Sequence, residues 1–254
     1  MPSLNFAVTN ADYRDPKRLK QLALQFSTGG YVRLPQLLTS EALAALTHEA
    51  AGLSQDATAR NFVMPGLMTP RRMKGIGGKL LRERSQLLMW LYDHPDVVHL
   101  ISGISGERAQ PCSHPNEFMV MNIFDQEGAT HGWHFDDPAL ALVIVVDAPA
   151  ASQGGVLEFV SDCVRKDQRG ELARFGGVTP FVEAAQADGL LRRKHHCAGD
   201  AYMLRADRCL HRVTPVKSGA YRAILNLAYQ LGPETRYGDT ADILYDLGNG
   251  TEAA

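Results

Sequence analysis

The first hundred residues carry apolar positions that recur every three or four residues, the spacing of one face of an α-helix. In "DPKRLKQLALQF" this pattern predicts a first helix, which "TGG" ends. A second predicted helix, "TSEALAALTHEAAGL", opens with a Ser/Thr cap and an early acid, which is typical of a helix start. "RSQLLMWLYDHPDVVHLISGI" predicts two further short helices that divide before Pro95. We therefore expect residues 1–105 to be mainly helical.

Two stretches interrupt this helical part. "GYVRLP" (residues 30–35) alternates in character and predicts a strand. "NFVMPGLMTPRRMKGIGG" (residues 61–78) is rich in Gly and Pro, which indicates a long loop. Its "GIGG" end lacks the GK[ST] sequence of a phosphate loop, so we interpret it as a flexible flap, a candidate lid.

The pattern changes after about Glu107, where short apolar or alternating runs lie between turn signals. These runs are "EFMVMNIF", "GWHF", "LALVIVVDA", "GVLEFVS", "DAYMLRA", "HRVTPV" and "RAILNLAYQ". No helical crossovers separate them, which argues against a doubly wound parallel sheet. We expect a mostly-β, α+β fold, with a double-stranded β-helix (jelly roll) over residues 106–232. The helical part packs on it, a C-terminal segment covers residues 233–254, and residues 1–254 form one domain.

Composition argues against several classes of partner. The chain has 26 Lys and Arg against 28 Asp and Glu, whereas a nucleic-acid-binding face usually shows as an excess of basic residues. The longest apolar run, residues 139–146, is far shorter than the roughly 20 residues that span a bilayer. The first residues lack the apolar core of a secretory signal. We expect a cytoplasmic protein that binds neither nucleic-acid polymers nor membranes, and leave a homodimer open.

A polar cluster stands out in "THGWHFDD", which places two histidines and two aspartates within seven residues. On a strand, His134 and Asp136 would project to the same face because residues i and i+2 share one. His211 lies 75 residues after Asp136, at the start of another predicted strand. Two His and one carboxylate on one face of an octahedral metal form the non-heme Fe(II) facial triad. An isolated HxD also occurs by chance, so these three metal-binding, catalytic candidates need independent support.

That support comes from Arg222, eleven residues after His211 in the apolar run "AYRAILNLAYQ". A buried Arg needs an anionic partner. A dicarboxylate cosubstrate that chelates iron through its 2-oxo acid end would present its far carboxylate to this side chain. The chain thus has an HxD motif, then after a long gap a His, and about ten residues later an Arg. A metal ion and a cosubstrate carboxylate together would give each of these polar residues a binding role.

These motifs resemble the Fe(II)/2-oxoglutarate dioxygenases, and more narrowly the group that contains the free-lysine radical halogenases and their hydroxylase relatives. The resemblance rests on "HGWHFDD", on "TPRRM" with its Gly-rich tail, on "NEFMVMN" and on "HRVTPVKSGAYRAILNLAYQ", and it spans roughly residues 60–230. It implies Fe(II), 2-oxoglutarate as cosubstrate, and O2. The halogenases have Gly or Ala where this chain has Asp136, and their vacated position binds chloride. The carboxylate here therefore favours hydroxylation.

The same resemblance implies five substrate-binding residues: Arg71, Glu117, His131, Asp137 and Asn226. Their chemistry suits a zwitterion, with Arg71 and His131 for a carboxylate, Glu117 and Asp137 for ammonium groups, and Asn226 for either. Each has a structural alternative, which is weakest for Asn226 because a buried amide needs hydrogen-bond partners. Arg71 could be a solvated loop residue, His131 an orienting partner of the metal ligands, Glu117 a strand cap and Asp137 a turn residue.

The sequence thus predicts an oxygenase that hydroxylates an unactivated C–H bond of a free amino acid or a related small amine-bearing polar metabolite. Ala228 stands where the lysine-specific relatives carry a polar residue, which weakens the case for lysine itself. One alternative is an oxygenase acting on a nucleotide or nucleoside, whose phosphate would suit Arg71 and Arg72. Another is a metal-binding jelly roll that senses a ligand without turnover.

Three further features receive weaker interpretations. The adjacent His195 and His196, followed by Cys197, are expected on the surface rather than in a metal site. Glu158 is expected at a strand end near the cavity and receives no role. The C-terminal "GDTADILYDLG" is a candidate cover for the site, which the sequence alone does not establish.

Overall fold

The computed structural model describes residues 6–163, 172, 174–233 and 235–246. The predicted C-terminal segment is thus described only in part, because residues 234 and 247–254 lie outside this range. The helices within the described range are α1 (Pro16–Gly29), α2 (Ser40–Leu53), α3 (Gly78–Arg84), α4 (Gln86–Tyr92), α5 (Pro95–Ser105), α6 (Val178–Ala187) and α7 (Thr240–Tyr245). None of these helices has the length and apolar character needed to cross a membrane.

The N-terminal helices begin where local chemistry places them. The Asp15 side chain accepts a hydrogen bond from the Lys17 amide at the start of α1, and Thr39 caps α2 in the same way through Ala42. Ser85 caps α4, and α5 begins at Pro95, as the sequence predicted. Such caps satisfy amides that have no partner inside the helix.

Twelve strands lie within the described range: β1 (Tyr31–Leu34), β2 (Thr58–Met64), β3 (Thr69–Ile76), β4 (Gln110–Pro111), β5 (Met119–Phe124), β6 (Thr130–His134), β7 (Leu140–Asp147), β8 (Leu157–Val160), β9 (Arg192–Lys194), β10 (Ala201–Leu204), β11 (Leu210–Val213) and β12 (Arg222–Gln230). The predicted strand in residues 30–35 is confirmed as β1.

Ten of these strands form a curled antiparallel sheet in the order β1-β10-β7-β12-β5-β3-β6-β11-β8-β9, and β2 and β4 join it by pairing with β3 and β12. We call β1, β10, β7, β12 and β5 the major sheet, and β6, β11, β8 and β9 the minor sheet. Strand β3 joins them, because it pairs with β5 through Lys74–Ile76 and with β6 through Arg71 and Arg72. The result is a half-barrel of the predicted jelly-roll type with helices packed on it.

The strands of the major sheet present two different faces. Along β12, Leu225 and Leu227 belong to the large apolar core shared with the N-terminal helices. The alternate residues Arg222, Ile224 and Asn226 line a cavity on the opposite, concave face. Because successive strand residues point to opposite faces, the polar side chains of this second set, Arg222 and Asn226, both face the same cavity.

The structure corrects the predicted long loop of residues 61–78, which is mostly the β2–β3 hairpin. Strand β3 alternates buried and exposed positions, with Thr69, Arg71 and Met73 buried. Two of these three buried side chains are polar. The buried positions of β3 are therefore not marked by hydrophobic residues in the sequence, and the strand could not be recognised from its pattern. The sequence also did not predict α6, whose Val178, Val182 and Ala185 pack against the outer face of the minor sheet.

The "GIGG" sequence makes close-packed contacts with other parts of the chain and is not a flexible flap, which corrects a second expectation. A Cβ atom at Gly77 would lie 2.5 Å from Cβ of Tyr245, and one at Gly75 would lie 2.9 Å from Tyr245 Cε1. A Cβ atom at Gly78 would lie 2.3 Å from Phe118 Cε1. These glycines therefore allow the C-terminal helix and Phe118, which precedes β5, to approach the chain more closely than any side chain would permit.

Gly77→Ala is expected to lower the free energy of unfolding by about 1–3 kcal/mol, the usual cost of overpacking. The added methyl group meets the Cβ atom of Tyr245 rather than the end of a flexible side chain, so α7 itself must shift. Denaturant unfolding measures the change. Gly52→Ala is the matched control, because Gly52 lies in α2 with open space around it, and alanine there favours the helix. Equal stability of the Gly77 variant and the parent protein would contradict the close packing.

Candidate active site

Three side chains with metal-binding atoms converge at one edge of the cavity. His134 ends β6, and His211 is its register partner on β11. Oδ1 of Asp136 lies 3.4 Å from Nε2 of His134 and 3.7 Å from Nε2 of His211. The ligand atoms of all three residues lie within 4.8 Å of one another, which is the separation that one ion requires.

Asp136 reaches this position by a different route from the one predicted. Strand β6 ends at His134, so Asp136 does not share a strand face with it. The chain beyond the strand is held by a hydrogen bond from the Asp136 amide to the Ala206 carbonyl, 3.1 Å long. The predicted convergence is present, and a tertiary contact rather than strand alternation produces it.

Both histidines are oriented in the same way. Nδ1 of His134 lies 2.7 Å from the Gly132 carbonyl oxygen, and Nδ1 of His211 lies 2.8 Å from that of Cys209. Since a carbonyl only accepts, Nδ1 carries the proton in each ring and the lone pair of Nε2 faces the site. Burial, with the charges of His131 and His211, holds the pKa of His134 well below its ordinary value. Two neutral imidazoles and one carboxylate fit the donor set of Fe(II).

Arg222 lines the same cavity from the start of β12 on the major sheet. Its side chain is 1% exposed, and Nη1 and Nη2 are buried with no hydrogen-bond partner in the described part of the chain. Burial lowers the pKa of Arg222, and the adjacent Tyr202 hydroxyl opposes that effect without satisfying Nη1 or Nη2. A buried guanidinium with unmet donors needs an anion, and the fork geometry suits a carboxylate.

Four of the five predicted substrate residues line the cavity: Glu117, His131, Asp137 and Asn226. The Asp137 amide donates to Oε1 of Glu117 over 3.2 Å, which places the two acids side by side. The ring of His131 stacks on that of His134 with centroids 3.9 Å apart. Nε2 of His131 and Oδ1 of Asn226 are buried without a partner among the described residues, so both can hydrogen-bond a ligand.

One protein family matches nearly the whole chain. A family model described as Halogenase D matches residues 14–245. The chain belongs to this family. With the two-His, one-carboxylate site, membership makes the protein an Fe(II)- and 2-oxoglutarate-dependent oxygenase. No curated protein matches the chain.

Solved structures show the same fold at low sequence identity. The non-heme α-ketoglutarate-dependent epimerase SnoN from nogalamycin biosynthesis is 18% identical over 94% of this chain and 93% of that chain, with a TM-score of 0.62. AviO1 from Streptomyces viridochromogenes is 17% identical over 86% and 97%, with a TM-score of 0.63. A Trichoplax adhaerens prolyl hydroxylase, in complex with a hypoxia-inducible-factor peptide, is 13% identical over 87% and 96%, with a TM-score of 0.58.

Arg71 is placed differently from the other residues that the family resemblance suggested. It is 1% exposed, which excludes the solvated alternative, but it is not among the described residues that line the cavity. Its Nη1 donates to Thr69 Oγ1 over 2.9 Å and to the Pro70 carbonyl over 3.1 Å. Burial lowers the pKa of Arg71 to about 10. Arg71 is the register partner of His131, and its charge helps lower the pKa of that histidine.

The sequence missed a group of aromatic side chains beside Arg222. His196, expected on the surface, is buried: its Nε2 lies 2.9 Å from the Tyr31 hydroxyl, and its ring stacks on Tyr202. Burial, together with the Arg222 charge, lowers the pKa of His196 to about 3. Tyr202 lines the cavity. The alternation in "DAYMLRA" predicted a strand there, but no pattern indicated which face would meet the site.

Glu158 lies on the outer face of the minor sheet, which corrects its expected place near the cavity. Arg212 donates to Oε2 of Glu158 through Nε at 2.7 Å and Nη2 at 2.6 Å, and Arg193 reaches Oε1 at 2.9 Å. The Arg212 guanidinium also lies 4.7 Å from the Trp133 ring centroid. These four side chains form a row across β6, β11, β8 and β9, behind the strands that carry His134 and His211.

Proposed function

We propose that this oxygenase hydroxylates an unactivated C–H bond of a free amino acid or a related small amine-bearing polar metabolite. The observation that carries the proposal is the presence, in one cavity, of a complete two-His, one-carboxylate set and a separate acidic pair, Glu117 and Asp137. The first supplies a metal site and the second a site for a cationic group.

The metal and the cosubstrate have separate binding groups in this proposal. His134, Asp136 and His211 hold Fe(II), and Arg222 holds the far carboxylate of 2-oxoglutarate. The bound iron, with 2-oxoglutarate and O2, supplies the oxidant that cleaves the C–H bond and delivers oxygen. Tyr202 and the ring of Phe124, whose centroid lies 5.6 Å from the Arg222 guanidinium carbon, limit water around the buried charge.

Asp136 favours hydroxylation over halogenation. Its carboxylate fills the position that is open to chloride in the halogenases that the chain resembles, and it adds a negative charge there. Family membership is therefore compatible with either outcome, and the third protein ligand is what distinguishes them. The tautomers fixed by Gly132 and Cys209 keep both imidazoles directed at the same point.

The substrate residues are arranged for a molecule with an ammonium group and an aliphatic part. Glu117 and Asp137 accept hydrogen bonds from the ammonium group, and Asn226 and His131 bind the remaining polar atoms. Arg71 stands behind His131 and adds positive charge for a substrate carboxylate rather than a direct contact. Val120 and Val213, which also line the cavity, pack against the aliphatic carbons.

The nucleotide alternative has no comparable support. It required Arg71 and Arg72 as phosphate ligands, and neither is among the described residues that line the cavity. Arg72 is exposed, and its Nε donates to Asn61 on the neighbouring strand.

The proposal is tested by incubating the protein with Fe(II), 2-oxoglutarate and O2 together with pooled free L-amino acids, and in a parallel reaction with pooled nucleosides and nucleotides. Mass spectrometry should find one amino acid that gains a single oxygen atom, with one succinate released per product. His211→Ala, which removes a metal ligand, is the inactive control. Turnover of nucleosides alone would reject the amino-acid proposal, and binding without succinate release would support a sensor instead.

A further inference from the structure

The C-terminal helix α7 contributes one wall of the cavity. Thr240, Ala241, Leu244 and Tyr245 all line it, beside the metal-binding and acidic residues. Tyr245 is the largest of these side chains, and only 8% of it is exposed. The sequence named "GDTADILYDLG", which contains Tyr245, as a candidate cover for the site, but it did not single out this residue.

The ring of Tyr245 is held by contacts on three sides. Its hydroxyl donates to Oδ1 of Asn122 over 3.1 Å. Its ring and Cβ atom occupy the space left by Gly75 and Gly77. From β2, the buried Arg60 donates through Nε to the Leu244 carbonyl over 2.7 Å and through Nη2 to the Asp246 carbonyl over 3.3 Å, so it binds the backbone on both sides of Tyr245. The phenol is therefore a built part of the pocket.

Its position along the cavity follows from the strand register. Asn122 pairs with Ile224 on β12, between the cosubstrate anchor Arg222 and Asn226. Since a strand rises about 3.3 Å per residue, Arg222 and Asn226 lie about 13 Å apart along β12. The Tyr245 hydroxyl, which is bound to Asn122, therefore lies beside β12 about midway between these two residues. Burial raises the pKa of Tyr245, with further contributions from Asp136 and Glu117, so its hydroxyl stays protonated.

We infer that Tyr245 is a specificity-determining residue: its ring limits the bulk that the pocket accepts beside the metal site. For amino acids the inference rests on the proposed function, because it concerns the substrate of that reaction. The hydroxyl fixes the ring through Asn122, and the ring itself sets the limit. Removing the hydroxyl alone should therefore retain the limit, whereas removing the ring should relax it.

A size series of metal-binding azoles tests this without any assumption about the substrate. Imidazole and 4-phenylimidazole are titrated into the Co(II)-loaded protein, and the visible absorption of the metal reports binding. In Tyr245→Ala the affinity for 4-phenylimidazole relative to imidazole should rise about tenfold or more. Tyr245→Phe should keep the ratio of the parent protein. Tyr237→Phe is the matched control, because it removes a hydroxyl hydrogen bond to Gln230 from the same C-terminal segment.

A panel of free L-amino acids of increasing bulk then extends the test to substrates, with binding measured by calorimetry in the absence of O2. Tyr245→Ala should bind at least one branched or aromatic amino acid that the parent protein rejects. An unchanged azole ratio in folded Tyr245→Ala would overturn the inference, and so would a relaxed ratio in Tyr237→Phe. If the parent protein binds no amino acid, the proposed function fails, while the azole series still decides the role of Tyr245. Should Tyr245→Ala not fold, Tyr245→Leu gives the same comparison.

Discussion

Asp136→Gly is expected to abolish most hydroxylation, with a loss of at least about 100-fold, since even residues that only orient metal ligands cost 10- to 100-fold when removed. The variant loses one of three ligand side chains and the only negative one among them. One coordination position also opens to solvent ions. Product formation is measured by mass spectrometry, and metal affinity is measured separately to divide the loss between binding and turnover.

A second outcome of the same substitution concerns halide. The opened position is the one that binds chloride in the halogenases that this chain resembles, so residual turnover in high chloride should include some chlorinated product. This gain also requires the substrate carbon to lie on the halide side, which neighbouring residues control. Asp136→Glu, which keeps a carboxylate, is the control. Chlorination by the unmodified protein would mean that Asp136 is not a ligand and would refute the proposed outcome.

Arg222→Ala should raise the 2-oxoglutarate concentration for half-maximal turnover by about 100-fold, while leaving metal affinity unchanged. Truncating one side of a buried, hydrogen-bonded charge pair costs about 2–5 kcal/mol, and about 2.8 kcal/mol corresponds to 100-fold. Nη1 and Nη2 of Arg222 have no hydrogen-bond partner among the described residues. The far carboxylate of the cosubstrate would accept their hydrogen bonds. The 2-oxoglutarate requirement of Arg222→Lys should lie between those of the parent protein and Arg222→Ala, because lysine keeps the positive charge but loses the two parallel hydrogen bonds of the guanidinium.

Arg212→Gln is the matched control for that experiment. Arg212 lies on the adjacent minor sheet and pairs with Glu158 on its outer face, so the variant removes a guanidinium without touching the cavity. Its 2-oxoglutarate requirement should equal that of the parent protein. If Arg222→Ala also left the requirement unchanged, the anchor would have to lie elsewhere in the cavity.

The helices, the strands and the metal-binding residues were largely predictable from sequence, because each leaves a local signal. Caps and apolar spacing mark α1, α2, α4 and α5, and short apolar runs mark most strands of the two sheets. The set His134, Asp136, His211 and Arg222 was recognisable from the HxD spacing, the later His and an Arg in an apolar run, where burying a charge is costly unless it has a binding partner. The structure brings the three metal-binding residues together as predicted.

What the sequence could not supply depends on contacts between distant parts of the chain. Asp136 is aimed by the Ala206 carbonyl, His196 is buried by Tyr31 and Tyr202, and Tyr245 enters the cavity because Gly77 leaves room for it. A Gly-rich sequence such as "GIGG" is equally compatible with a mobile flap and with a close-packed contact. Only the presence of α7 against these glycines distinguishes the two, because close approach is a property of a pair of surfaces and not of either sequence alone.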